Sequence, residues 1–250
     1  MGKTEKVAFW KYLWAIWLAI HFLLFFILTL PVFYLLLSRK AWYPVAHRLR
    51  GVWGAYILAM SGIRWKVEFE EKLDPNKTYI FAPNHSSYID IPSLAVLLPG
   101  YFVFMAKSEL SKIPLFGIFF GTIDIAVNRK SAIQAHKAFQ EAGERLDKGI
   151  SVCLFPEGTI PAHAPVLGRF KDGPFRLAIE KGVEIVPITL PDNHLRLPDK
   201  GSFYATPGKM RMYVHRPISA AGLKVEDADA LKQEVYRIIE TKLASYAHQR

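Results

Sequence analysis

The sequence has a single cysteine, Cys153, so the chain cannot form an intramolecular disulfide. That scarcity is compatible with a reducing compartment. Cys153 lies in the apolar run of residues 150–155, which predicts a buried strand. We therefore expect its thiol to pack as a small core side chain and not to act as a catalytic nucleophile.

The sequence also lacks internal repeats, low-complexity tracts, zinc-ligand spacings and RNA-binding aromatic motifs. Acidic residues number 22 against 32 lysines and arginines, which gives a net charge of +10. Such a charge suits nucleic acid, anionic lipid headgroups or phosphorylated substrates. Because hydrophobic residues make up 51% of the chain and nucleic-acid motifs are absent, we expect a membrane-lipid partner and no nucleic acid.

A long apolar run occupies residues 12–37 and is long enough to cross a ~30 Å hydrocarbon core with some tilt. It is too long for the apolar region of a cleaved signal peptide, and no small-residue cleavage site follows it. Aromatic residues near both ends would act as interfacial anchors. They are Trp10, Trp14 and Trp17 at one end and Tyr34 and Trp42 at the other.

Residues 42–60 repeat apolar side chains at helical spacing and place His47, Arg48 and Arg50 mostly off that face. The pattern is typical either of a helix in the membrane interface or of an ordinary core-packing helix. Residues 1–62 would then form a membrane-associating two-helix segment. Either its first helix spans the bilayer, or both helices form a hairpin in one leaflet.

Flanking charge predicts the orientation of this segment. Cations are slightly more numerous after the apolar run than before it, which places the rest of the chain in the cytosol. Those before the run are Lys3, Lys6 and Lys11, and those after it are Arg39, Lys40, Arg48 and Arg50.

Residues 63–250 predict a single α/β domain with a mixed sheet flanked by helices, because short apolar runs alternate with helical stretches. One helix is expected at 131–148, where Ser131 and Gln134 form a capping-box pair and Gly149 follows the end. Another is expected at 226–247. Strands are expected near 65–69, 78–82, 101–106, 123–127, 150–155, 184–190 and 209–215.

His85 and Asp90 follow the strand at 78–82, and Glu157 follows the strand at 150–155. Acyl transfer to a hydroxyl needs a base that titrates near neutral pH, as histidine does, and a carboxylate can orient that base. An activated thioester needs no separate nucleophile. The alternative is structural: Asn84 or Ser86 caps a helix, and Asp90 complements its dipole.

Further motifs follow this Asn-His-x4-Asp box at 107–117, 124–129, 155–159, 170–173 and 186–189. In this order and spacing the chain resembles the 1-acylglycerol-3-phosphate acyltransferase family from about Lys66 to His215. The N-terminal hydrophobic pair is similar to the membrane-associating helices of bacterial members. The resemblance implies an enzyme of the bacterial inner membrane, with its catalytic domain on the cytoplasmic side.

The resemblance also implies roles for matching residues. His85 would be the general base and Asp90 its orienting partner, and Glu157 would contact the hydroxyl region of the acceptor. The acceptor would be lysophosphatidic acid, and the donor acyl-CoA or acyl carrier protein, with no metal and no bound organic cofactor. The expected substrate-binding residues are Asn84, Lys107, Arg129, Glu157, Gly158, Thr159, Arg169 and Lys171.

Ile160 departs from the family pattern, which usually has an arginine after Pro-Glu-Gly-Thr. Arg169 and Lys171 are the nearest cations that could replace it. Ile160 therefore leaves open a second acceptor class, a lyso-amino-acid lipid or another lysolipid. A non-catalytic protein that binds anionic lipid is a third hypothesis. The spacing of His163 and His194 gives no support to a metal site with His85.

Overall fold

The N-terminal apolar run folds as the first of seven helices in the described part of the chain. The structure, a computed structural model, describes residues 8–113, 116–199 and 203–248, without the side chain of Phe116. Its helices are α1 (Phe9–Leu37), α2 (Tyr43–Met60), α3 (Asp90–Leu97), α4 (Ala132–Asp147), α5 (Gly173–Lys181), α6 (Asn193–Arg196) and α7 (Ala228–Ala247).

A seven-stranded sheet carries these helices, and its order is β1-β7-β6-β2-β5-β3-β4. Neighbouring strands run parallel except β6 and β7, which pair antiparallel, so the sheet is mixed. The predicted α/β class is therefore confirmed. The strands are β1 (Ile63–Phe69), β2 (Tyr79–Pro83), β3 (Phe102–Lys107), β4 (Ile125–Val127), β5 (Ser151–Cys153), β6 (Glu184–Thr189) and β7 (Gly208–Val214).

Two strands are shorter than predicted, because their apolar runs include residues that lie outside the strand pairing of the sheet. The strand expected at 150–155 ends at Cys153, although the Leu154 N–H still donates to Phe81 O at 2.9 Å. The strand expected at 123–127 begins only at Ile125. Cys153 itself is fully buried, and burial raises the pKa of its thiol, as expected of a core side chain.

Helix α4 begins and ends as its sequence predicts. Ser131 Oγ accepts the N–H of Gln134 at 3.3 Å, and Gly149 after the helix has φ +74°. The Gln134 side chain does not complete a capping box, because its Oε1 accepts from Asn128 Nδ2 at 2.7 Å. Helices α4, α5 and α7 cover one face of the sheet, and α3 covers the other.

Helix α1 reverses into α2 and packs along it. The indole N–H groups of Trp14 and Trp17 donate to Ser61 O at 3.1 Å and Met60 O at 2.9 Å. These two tryptophans thus satisfy carbonyls at the end of α2, where a helix leaves its acceptors unpaired. Phe26 and Phe33 of α1 also contact Phe119 of the α/β domain. The Phe26 ring is tilted against it at a centroid distance of 6.1 Å, and the Phe33 ring meets it edge-on at 5.0 Å.

Helix α2 packs one side against the core and exposes the other. Val45 and Val52 of its expected apolar face are exposed, whereas His47 and Arg50, expected off that face, are buried. Arg50 Nη1 binds Asp124 Oδ2 at 2.6 Å, and Arg50 Nη2 lies 2.7 Å from His47 Nδ1. Burial and the Arg50 guanidinium lower the pKa of His47 to about 2, so its neutral ring accepts this N–H.

The orientation that flanking charge predicts stays a prediction. Of the cations after the apolar run, Arg50 is buried against Asp124 and Arg48 is exposed. Of those before the run, Lys3 and Lys6 lie outside the described residues.

We expect Arg50→Ala to lower the free energy of unfolding by about 3–5 kcal/mol, because it leaves the Asp124 carboxylate buried without its partner. Urea unfolding in detergent micelles measures the change. Arg48→Ala, at an exposed position of the same helix, is the matched control and should shift stability by less than about 0.5 kcal/mol. Equal losses in the two variants would contradict this reading of the ion pair.

Candidate active site

The candidate site forms at one edge of the sheet because its strands run in the same direction there. Strands β6, β2, β5, β3 and β4 are parallel neighbours, so their carboxyl ends lie side by side. In open α/β sheets this edge gathers functional groups. The segments that leave these strands carry His85, Lys107, Arg129, Glu157 and Asn193.

His85 and Asp90 form a direct pair. His85 Nδ1 lies 2.8 Å from Asp90 Oδ2, and the Asp90 side chain is fully buried. A carboxylate at Nδ1 fixes the proton on that nitrogen and leaves Nε2 as the lone-pair acceptor. Nε2 has no hydrogen-bond partner among the described residues, so it is free to take a proton from a hydroxyl.

Asp90 is held on all sides by donors. Its Oδ2 accepts the backbone N–H groups of Ser86 at 2.7 Å and Ser87 at 2.9 Å. Its Oδ1 accepts from Asn193 Nδ2 at 2.7 Å. Asn193 is not among the site residues that the sequence predicts. A signal for it exists, because Asn193 follows the strand predicted at 184–190, as His85 and Glu157 follow theirs.

The structural alternative holds only in part. Asp90 lies in the first turn of α3, as that alternative expects, but no side chain caps the helix and Asp90 also accepts from the loop before it.

Asn84 is buried and bridges two strand ends: its Oδ1 accepts from Leu190 N at 2.7 Å and its Nδ2 donates to Leu190 O at 3.3 Å. Both ends of its amide are thus engaged in bracing the sheet edge. Its expected contact with substrate stays a prediction.

Phe155 and Glu157 hold the His85 loop from the neighbouring strand. The rings of Phe155 and His85 stack with centroids 4.0 Å apart and an interplanar angle of 20°. Glu157 Oε1 accepts the N–H of His85 at 2.7 Å, and Oε2 accepts the N–H of Gly168 at 2.6 Å. The carboxylate therefore ties two loops together through backbone N–H groups. Its expected contact with the hydroxyl region of the acceptor stays a prediction.

Burial raises the pKa of Glu157 to about 7 from 4.5, against the opposing effect of its two backbone hydrogen bonds. A carboxyl whose pKa is higher in the folded state stabilises the fold below its unfolded pKa and loses that contribution as pH rises through its folded pKa. The loss between pH 4.5 and pH 8 is roughly 3 kcal/mol.

We expect Glu157→Gln to abolish this part of the pH dependence of stability. Glutamine has one side-chain acceptor oxygen, so either His85 N–H or Gly168 N–H also loses its partner. Urea unfolding at pH 4.5 and pH 8 measures the slope, and a turnover assay should show a slower enzyme. An unchanged slope in Glu157→Gln would show that another group carries the titration.

A cationic cavity of about 520 Å³ lies at the same edge of the sheet. Lys107, Arg129 and Lys171 line it together with Phe155, the ring stacked on His85. Lys107 Nζ donates to Thr159 Oγ1 at 3.5 Å. Such a set of cations suits a phosphate group.

Gly158 forms the turn beside these cations. Its φ of +74° favours glycine, whereas a Cβ there would make only ordinary contacts, 3.7 Å from Arg129 Nη1 and 3.8 Å from Lys171 Cγ. Arg169, the other expected substitute for an arginine at position 160, is exposed and does not line the cavity. Of the motif at 107–117, Pro114 and Leu115 lie outside the described residues.

An apolar cavity of about 250 Å³, here the chain cavity, lies on the opposite face of β3. Successive side chains of a strand point to opposite faces. Met105 and Lys107 accordingly line the cationic cavity, whereas Phe104 and Ala106 line the chain cavity. The sheet edge thus separates a polar compartment from an apolar one. The described residues include no cluster of three or more metal-ligating side chains.

Comparisons with known proteins agree with this architecture. The crystal structure of the 1-acyl-sn-glycerophosphate acyltransferase PlsC from Thermotoga maritima has a TM-score of 0.79 and covers 95% of this chain and 96% of that chain. At 23% sequence identity this likeness concerns the fold.

Sequence relatives carry the assignment further. The chain is 32% identical over 174 residues to a 1-acyl-sn-glycerol-3-phosphate acyltransferase of Chlamydomonas reinhardtii, covering 69% of this chain and 52% of that protein. It is 30% identical to the alpha form from Mus musculus, covering 70% and 62%. The chain thus spans about half to two thirds of these relatives' length. An uncharacterized acyltransferase of Schizosaccharomyces pombe is also 30% identical, covering 79% and 72%.

The family model for acyltransferases matches residues 64–191, which is more than half of the chain and contains the His85–Asp90 pair, the cations at 107, 129 and 171, and Glu157. The chain therefore belongs to the acyltransferase family, whose members include 1-acyl-sn-glycerol-3-phosphate acyltransferases.

Proposed function

We propose that this chain transfers a fatty acyl group from a thioester donor to the free sn-2 hydroxyl of 1-acylglycerol 3-phosphate, giving phosphatidic acid. The observation that carries the choice of acceptor is the cationic cavity, which Lys107, Arg129 and Lys171 line together with Phe155, the ring stacked on His85. The names of the Chlamydomonas and mouse relatives support the same acceptor.

The His85–Asp90 geometry supports direct attack by the acceptor hydroxyl. His85 Nε2 takes the hydroxyl proton as the oxygen forms its bond to the thioester carbonyl carbon. The tetrahedral intermediate then expels the thiolate, which receives the proton back from His85. Asp90 stabilises the imidazolium that exists between the two transfers. Acyl-CoA and acyl carrier protein both satisfy this scheme, since both present a thioester.

The chain cavity is the compartment suited to the donor's acyl chain. It is apolar apart from the Arg50–Asp124 ion pair, and Ala106 of its lining directly precedes Lys107 of the cationic cavity. Burying a chain there removes apolar surface from water at about 0.8 kcal/mol per CH₂ group. The same cavity would limit how long a chain the enzyme accepts.

We propose that the N-terminal helices lie in one leaflet of the membrane. Of the described residues, α1 is the one helix long and apolar enough to cross a bilayer. It nevertheless contacts the α/β domain near both of its ends. The N–H of Ala205 donates to Lys11 O at 3.2 Å, and the rings of Phe26 and Phe33 lie against Phe119. A spanning α1 would draw polar parts of that domain into the hydrocarbon, whereas a hairpin that leaves the outer side of α1 in lipid would not.

A second candidate acceptor is a lysolipid without phosphate, such as a lyso-amino-acid lipid. Ile160 favours it, because it replaces the arginine usual at that position. Purified protein with labelled acyl-CoA or acyl carrier protein should be assayed against lysophosphatidate and phosphate-free lysolipids. We expect turnover with lysophosphatidate. Strong activity on a phosphate-free lysolipid and none on lysophosphatidate would reverse the assignment.

A further inference from the structure

A second apolar cavity of about 350 Å³, here the lateral groove, lies between α1 and the loop after His85. Helix α1 contributes Ala19 and Leu23 to its lining, and the motif loop contributes Tyr88. The lateral groove and the chain cavity are neighbours, because four residues line both. They are Phe22, Ile57, Tyr88 and Pro92.

The mouth of the lateral groove lies on the apolar outer surface of α1. Leu23 is 54% exposed and Phe203 is 55% exposed, and both line the groove. The exposed apolar side chains of α1 continue this surface on either side of Leu23, at Ile16, Ile20 and Ile27 among others. In a membrane-bound protein such a surface faces lipid, so the groove opens sideways toward the bilayer.

Tyr88 stands where the two apolar cavities meet. It lies three residues after His85 in the Asn-His-x4-Asp box, and its side chain lines both the lateral groove and the chain cavity. Two acyl chains must approach the same base in the proposed reaction, one from the thioester donor and one from the lysolipid acceptor. The described structure offers two apolar spaces that share Tyr88, in the loop that carries that base.

We infer, building on the proposed function, that the lateral groove holds the acyl chain of the lysolipid acceptor and that Tyr88 separates it from the donor chain. The donor arrives from water, whereas the acceptor's chain already lies among lipid tails. A chain moves from lipid into an apolar groove with little change in hydrophobic free energy, since both surroundings are apolar. The groove therefore positions the acceptor hydroxyl and does not supply most of the affinity.

Ala19→Trp, which fills the groove, tests this assignment. With purified protein in vesicles, we expect it to lower kcat/KM for 1-oleoyl lysophosphatidate at least about fivefold, because a chain kept out of the groove no longer positions the hydroxyl. The kcat/KM for 1-hexanoyl lysophosphatidate, whose chain is too short to fill the groove, should be unchanged. The preference among acyl donors of different length should also be unchanged.

Two further variants make the result specific. Ile20→Trp places the same indole ring at the next position of α1, which is 54% exposed and lines neither cavity, and should behave as the wild type. Ala106→Phe fills the chain cavity and should shift donor preference to shorter chains without changing the relative kcat/KM of the two acceptors. If Ala19→Trp fails to fold, Leu23→Trp at the mouth of the groove replaces it.

The outcomes separate cleanly. A shortened donor preference in Ala19→Trp would assign the groove to the donor, and unchanged kinetics with every acceptor would remove any chain from it. Either result overturns the inference. Failure of the proposed function is a different observation, because the unmodified protein would then turn over no lysophosphatidate of either length.

Discussion

Replacing His85 with alanine should reduce acyl transfer by roughly 10²–10⁴-fold while leaving the fold and membrane association intact, because general-base catalysis typically contributes that much. The side chain touches few structural elements: its ring stacks on Phe155, and Nδ1 meets Asp90. The backbone N–H that binds Glu157 remains in the variant. Turnover of labelled acyl donor with lysophosphatidate measures the loss, and circular dichroism confirms the fold.

His163→Ala is the matched control, since His163 is exposed and lines neither the chain cavity nor the cationic cavity. It should retain wild-type turnover. The hypothesis of a non-catalytic lipid-binding protein predicts a different result. The unmodified protein and both variants would bind lipid and transfer no acyl group. If purified His85→Ala transferred acyl groups at the wild-type rate, the proposed mechanism would be wrong.

The parts of the fold that depend on local pattern were predictable. Alternating and continuous apolar runs identify the strands, and Ser131 and Gly149 mark the ends of α4 because capping depends on neighbouring residues. His85, Asp90 and Glu157 could be placed at strand ends for the same reason. Parallel pairing of β2 with β5 then brings the two loops together.

The partners of buried polar groups were not predictable. Arg50 pairs with Asp124, which is 74 positions away in the sequence. The helical pattern of α2 contains no information about that partner, so it predicts an outward-facing Arg50. Asn193 reaches Asp90 across 103 positions. Arg169 and Lys171 are two positions apart, yet Lys171 lines the cationic cavity and Arg169 does not. Such outcomes depend on tertiary contacts, which the hydrophobic periodicity of a sequence does not reveal.

The substitution Arg129→Leu should raise the KM for lysophosphatidate by about 10- to 100-fold, since a hydrogen bond to a charged group is worth about 1.5–3 kcal/mol. Arg129 can bind a phosphate through two N–H groups, and burial lowers its pKa without removing its charge. Steady-state kinetics with acceptor held in mixed micelles measure the change. The rate at saturating acceptor should fall much less.

Arg169→Leu removes the same charge from an exposed position outside the cavity and should leave this KM unchanged. A phosphate-free lysolipid provides the second comparison, because its binding does not need the cation at 129. If Arg129→Leu weakened the binding of both acceptors equally, Arg129 would support the fold of the turn at Gly158 instead of binding phosphate. If only Arg169→Leu raised the KM, the cation that compensates for Ile160 would lie outside the cavity, and the phosphate site proposed here would be misplaced.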